Sequence, residues 1–175
     1  MDKNKIMLKL RKICIVLIIA WMICVFLLSN QNGTGSSGLS LKVAKLLFNS
    51  DDVAVKMEGF IRKAAHMTEY AVGAILFYGY CLTYPNMQPK KRIIFSELCI
   101  ALYAVTDELH QLFIPGRNGN IIDVLIDSAG GLIGIGIIWL TAVLINGMEF
   151  KAKEDIARGK KWNFKRGIIF LWKKM

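Results

Sequence analysis

The chain has 175 residues, 54% of them hydrophobic, and a formal charge of +10. A disordered chain could not be this apolar, and a soluble domain spreads its apolar residues by amphipathic periodicity. Here they stand in long blocks with the charges between them, which argues against an ordinary soluble globule.

The first block, Ile13 to Leu28, is sixteen residues without a charge and follows Lys3, Lys5, Lys9, Arg11 and Lys12. With its flanks it reaches the roughly 20 residues a bilayer span needs. The run is long for a signal peptide's apolar region, and no small-x-small site follows Leu28, so an uncleaved first span is expected. Ser29 to Gly38 is rich in Ser, Asn and Gly and reads as an outer loop. Leu39, Val43, Leu46 and Leu47 then recur at helical spacing, with Lys42 and Lys45 off that face. They predict a short helix, either on the outer membrane surface or packed on the bundle.

Three further blocks lie at about 59–84, 93–113 and 121–145. Backbone groups in lipid must be satisfied within the segment, which favours helices; the residue-by-residue alternation of a β-barrel is absent. The expected fold is therefore all-α: a polytopic membrane protein with four transmembrane helices at about 13–28, 59–84, 93–113 and 121–145. It comprises a basic N-terminus at 1–12, a transmembrane domain at 13–145 and a basic tail at 146–175. Lys and Arg mark the cytoplasmic side. With both termini cytoplasmic, the inner side holds 17 of the 23 basic residues and five acids (Asp2, Glu97, Glu149, Glu154 and Asp155), and the outer side holds six basic and eight acidic. The excess charge thus describes cytoplasmic flanks, and no basic face for nucleic acid is visible.

The tail from Lys151 has nine basic residues against Glu154 and Asp155, interleaved with Trp162, Phe164 and the run Ile168 to Trp172. It suits a segment lying on anionic lipid or a solvated tail that sets topology. Cys14, Cys24, Cys81 and Cys99 fall inside apolar segments with no C-x-x-C pair, and read as small buried hydrophobes.

Ionisable groups inside spans are costly and are the best functional pointers. The second span opens with Arg62, Lys63, His66, Glu69 and Tyr70, of which Arg62, His66 and Glu69 share a face, continued by Gly73. The third ends with Tyr103, Asp107, Glu108, His110 and Gln111, followed by the turn holding Pro115, Gly116 and Arg117. The fourth begins with Asp123 and Asp127, whose stripe continues through Gly130, Gly131 and Gly134. The topology puts all three clusters in the outer half of the membrane, and Gly130-x-x-x-Gly134 predicts close helix approach. Four readings follow. The charges form a buried ion-pair network that fixes register. His66, Glu69, Asp107, His110, Asp123 and Asp127 hold divalent metal. A His–carboxylate pair drawn from His66, Glu69, Asp107 and His110 does acid–base chemistry. Or Arg62 and Arg117 fork onto a phosphate or carboxylate while the rest read a headgroup.

At these residues the sequence resembles the VanZ-like family of bacterial membrane proteins. The matching pieces run from Arg62 through His66 to Tyr70, from Asp107 to Arg117, and from Asp123 to Gly131, with Ser29-Asn30-Gln31 like the family's short S-x-Q element. The resemblance covers about residues 13–145. It implies a small multi-helix protein of the bacterial cytoplasmic membrane, linked to low-level resistance to teicoplanin-type glycopeptides. It leaves the cofactor and the reaction undefined. The expected partners are the lipid bilayer and a lipid-linked envelope molecule or lipoglycopeptide, with a homo-oligomer as a further option. The leading expectation is an outward-facing polar pocket that binds such a ligand. An intramembrane hydrolase or transferase, a proton-coupled transporter and a structural helper are the alternatives.

Overall fold

The computed structural model describes residues 3–158. Among them every regular element is a helix: α1 (Lys3–Ser29), α2 (Gly33–Leu47), α3 (Asp51–Leu82), α4 (Pro89–Gln111) and α5 (Ile121–Ala157). Two compact units are distinguished, Met1–Ile135 and Gly136–Met175. The first holds α1 to α4 and the start of α5 and carries everything discussed below. The second, in its described part, is the remainder of α5. Past the expected end of the span at 145, α5 runs on to Ala157; the tail from 159 onward lies outside the described residues.

Local signals set the helix ends. Asp51 and Asp52 occupy the first turn of α3, where the helix dipole favours acids. Pro89 opens α4, a position whose missing N–H costs nothing. Asn120 caps α5: its side chain accepts from the Ile122 N–H at 3.0 Å. The stretch from Ser29 to Gly38 departs from the expected loop, because α2 begins already at Gly33. Asn32 caps it, accepting from the Gly35 N–H at 2.8 Å. The glycines are tolerated because tertiary contact sets this end: Gly33 N–H donates to Pro115 O at 3.2 Å. A Cβ on Gly33 would run into Gly116 O.

α3 is the central helix, packed against α1, α2 and α4. It also meets α5: a Cβ on Gly130 or Gly134 would collide with the backbone of Met67 or Ala71. The Gly-x-x-x-Gly segment therefore makes the close approach its spacing predicted. Beneath the polar residues lies an aromatic layer. Trp21 meets Tyr70 edge-on at 6.0 Å and Tyr103 at 5.0 Å, and Gly73 leaves room for the indole. The Trp21 Nε1–H donates to Glu69 O at 2.9 Å, and the Tyr103 hydroxyl to Met22 O at 2.6 Å.

Ile94, Leu98, Leu102, Val105 and Leu109 of α4 recur at helical spacing and are 39–58% exposed, while Ser96, Asp107, Glu108 and Gln111 are buried beside Ile100 and Ala104. Water would disfavour so long an exposed apolar face. α1 and α5 also expose apolar side chains along their length, among them Val16, Ile23 and Leu27, then Leu125, Leu132 and Ile133. Two helical segments, Asn4–Ser29 (mean hydropathy 2.7) and Ile121–Ile145 (2.1), are long and apolar enough to cross a membrane. The α2 face predicted to be apolar, Leu39, Val43, Leu46 and Leu47, is exposed, and α2 buries Ser40 and Ala44 instead. All four cysteines are free; Cys81 is buried as expected, but Cys24 is exposed, because its side of α1 faces outward.

Candidate functional site

Residues from α3, α4, the start of α5 and the turn joining α4 to α5 line a cavity of about 230 Å³. Of the residues singled out in the sequence, Arg62, Lys63, His66, Glu108, Gln111, Arg117, Asp123 and Asp127 line it. The helices that pass these residues also set their signs apart. α3 and the turn supply the cations; α4 and α5 supply the acids.

On the cationic side, Arg117 is clasped by neutral acceptors. Its Nη1 donates to Ser29 O at 3.1 Å and its Nη2 to Ser36 Oγ at 2.8 Å. Burial lowers the Arg117 pKa from its ordinary value, opposed by the Asp107 carboxylate, but a guanidinium stays charged across ordinary pH. Arg62 donates to Ser37 Oγ at 3.1 Å and lies 3.7 Å from Glu58. These contacts tie the end of α1 and the start of α2 to the site. Gly116, at φ +75°, takes the left-handed conformation in the turn that presents Arg117.

On the acidic side, Glu108 accepts from the Asn120 N–H at 2.8 Å, so one of its oxygens anchors the start of α5. Asp123 lies 3.6 Å from Lys63 Nζ, an ion pair that crosses between the two sides. Asp127 is 2% exposed, and its Oδ1 has no hydrogen-bond partner. His66 stands between the sides, its Nδ1 3.7 Å from Glu69 Oε2 and without a hydrogen bond.

Four of the singled-out residues stand off the lining. Asp107 is buried and accepts from Gln111 Nε2 at 3.1 Å. Tyr70 is fully buried in the aromatic layer. Glu69 reaches the site only through His66. His110 shares a helix face with Asp107 by spacing, yet its ring lies on Phe26 of α1 at 4.7 Å. No group of three or more His, Cys, Asp or Glu side chains among the described residues is placed to hold a metal ion. No serine, threonine or cysteine lines the cavity.

Sequence reasoning missed the seryl clasp. Ser36 and Ser37 sit in the glycine-rich stretch read as a loop, and only the Ser29-Asn30-Gln31 element hinted at it. Gly33, Asn118 and Ile126 also line the cavity. Nothing in their local sequence marks them, since the fold alone brings them there. Glu97, counted among the inner acids, reaches into the helix bundle. Its Oε2 would lie 2.9 Å from a Cβ on Gly131 and has no hydrogen-bond partner.

Comparison with known families adds one finding: the VanZ/LLP1 family model matches residues 14–144. No curated protein and no solved structure matches the chain. The matched stretch contains α2, α3, α4 and the whole cavity lining.

Proposed function

This chain belongs to the VanZ/LLP1 family, and from that premise we propose a four-span protein of the bacterial cytoplasmic membrane with an outward-facing polar pocket. The family and the two apolar helices of span length support a membrane protein. The exposed apolar face of α4 supports counting α4 as a third span, and the central α3 supports a fourth. A helix enclosed by others can carry polar residues that a lipid-facing helix could not. The distribution of Lys and Arg supports cytoplasmic termini, with a transmembrane domain at 13–145 between basic ends. Impermeant maleimide on intact cells tests this in a cysteine-free background. Cysteine at Asn118 is labelled and cysteine at Lys90 is not; the reverse pattern overturns the orientation.

The pocket binds the polar part of a cell-envelope lipid or of a lipophilic glycopeptide, and this links the protein to teicoplanin-type resistance. The observation that carries the reading is the 230 Å³ cavity, lined by three basic and three acidic side chains. Drug-sized ligands fill roughly 300–1,000 Å³, so the space suits a headgroup whose apolar part remains in lipid. Cells expressing the chain tolerate more teicoplanin than cells lacking it, and His66→Ala removes the gain. Equal susceptibility of all three strains overturns the reading.

A second reading has support of its own. Lys63–Asp123 and the Glu108–Asn120 contact hold helix ends together, as a charge network that only fixes register would. In that case His66→Ala lowers thermal stability in detergent and leaves drug tolerance untouched.

A further inference from the structure

We infer that the pocket takes a headgroup carrying both a phosphate and a primary ammonium, the phosphate on the Arg62–Arg117 side and the ammonium at Asp127. This rests on the reading of the cavity as a headgroup site and specifies its ligand.

The argument begins with charge. Arg62, Lys63 and Arg117 face Glu108, Asp123 and Asp127 across one cavity, so the lining sums to zero with the signs on different elements. A purely anionic ligand would answer one side and press against the other. A ligand with both charges answers each.

The existing partners then show which charges remain available. Arg62 already lies beside Glu58 at 3.7 Å, so Arg117 is the main phosphate contact: it is held by a carbonyl and hydroxyls, so its orientation is fixed while its charge is paired with no carboxylate. A fixed, half-buried guanidinium presents a fork to phosphate oxygens. On the other side, one Glu108 oxygen is occupied by Asn120, and Asp123 has Lys63. Asp127 has neither: it is 2% exposed, and its Oδ1 accepts from nothing. A buried carboxylate oxygen without a donor is costly. An N–H donor bearing positive charge is the complement it lacks. A trimethylated ammonium has the charge without the N–H, so the site discriminates a primary amine from a quaternary one.

The surroundings suit a lipid source. Phe113, Ile121 and Leu125 are exposed on the same turn and helix that supply Arg117 and Asp127. They offer an apolar flank along which acyl chains can leave. A soluble amine-phosphate has the same polar chemistry, and the two sources are separable by experiment.

The test uses the purified full chain in detergent, titrated with phosphatidylethanolamine, phosphatidylcholine and phosphatidylglycerol and read by native mass spectrometry. Phosphatidylethanolamine binds about tenfold more tightly than the other two, the ratio expected for one additional charge-assisted hydrogen bond. Asp127→Asn brings the three lipids to parity, whereas Arg62→Gln weakens all three together. Should Asp127→Asn fail to fold, the preference of the unaltered protein for ethanolamine over choline decides alone. Equal binding of the three lipids to the unaltered chain overturns the ammonium assignment and leaves the headgroup reading standing. Absence of binding by any of them, with no displacement by free O-phosphoethanolamine, overturns both. Free O-phosphoethanolamine binding more tightly than the lipid assigns the site to a soluble ligand; weaker binding assigns it to the lipid. Either result upholds the paired phosphate–ammonium chemistry.

Discussion

Two neighbouring layers of the first unit are built on opposite principles. In the aromatic layer, Trp21 and Tyr103 each donate to a backbone carbonyl of another helix, and the rings fill the space between α1, α3 and α4. The charged layer beyond it has buried polar atoms without hydrogen-bond partners on His66, His110, Asp123 and Asp127, against the Tyr70 hydroxyl alone in the aromatic layer. Native interiors rarely leave such atoms unpaired. The difference separates a layer whose polar atoms mostly find partners inside the chain from one whose charged side chains line a cavity. It also predicts that the two layers answer mutation differently.

The largest effect belongs to the closed layer. Trp21→Ala removes an indole packed on Tyr70, Tyr103 and Phe77, a loss of about 3–5 kcal/mol. Thermal unfolding of the full chain in detergent measures it; an unchanged midpoint would show that this layer does not hold the bundle. Next comes the seam that presses α5 on α3. Gly130→Val drives a side chain into the Met67 backbone and costs about 3 kcal/mol. Gly136→Val, where a Cβ meets nothing within 4 Å, is the control and leaves the midpoint near that of the parent.

Smaller effects distinguish clasp from pocket within the charged layer. Arg117→Gln loses charged hydrogen bonds to Ser29 and Ser36, about 2 kcal/mol in all, and releases the start of α2. Hydrogen exchange then rises in residues 33–40 before the rest of the chain; uniform exchange would contradict the clasp. Smallest is Asp127→Asn. The substitution replaces a buried carboxyl that has an unpartnered oxygen by an amide of the same size, so the apo protein keeps its stability within about 0.5 kcal/mol or gains. A loss comparable to that of Trp21→Ala would place Asp127 in the structural layer and dissolve the contrast.

Much of this protein was legible in its residues because the deciding forces are local. An uncharged run such as 13–28 becomes a helix wherever lipid surrounds it. Asp51 and Pro89 carry helix-start chemistry too, but α3 and α4 begin there, ahead of the spans expected from about 59 and 93. The polar clusters on 62–70, 107–111 and 123–127 were visible as costly residues in apolar blocks, and spacing alone foretold the seam at Gly130 and Gly134. Tertiary structure decided the rest. His110 and Gln111 are adjacent in sequence, yet one stacks on Phe26 and the other lines the cavity. A helix face is a broad arc, and only the neighbouring helices choose between its edges. The α2 start at Gly33 was invisible for the same reason, since glycines that read as a loop become a helix when Gly116 lies against them. The sequence alone determined which residues are expensive to bury. Packing of α1, α2, α3 and α5 around them decided which find partners inside the chain and which, like Asp127, are left facing the cavity.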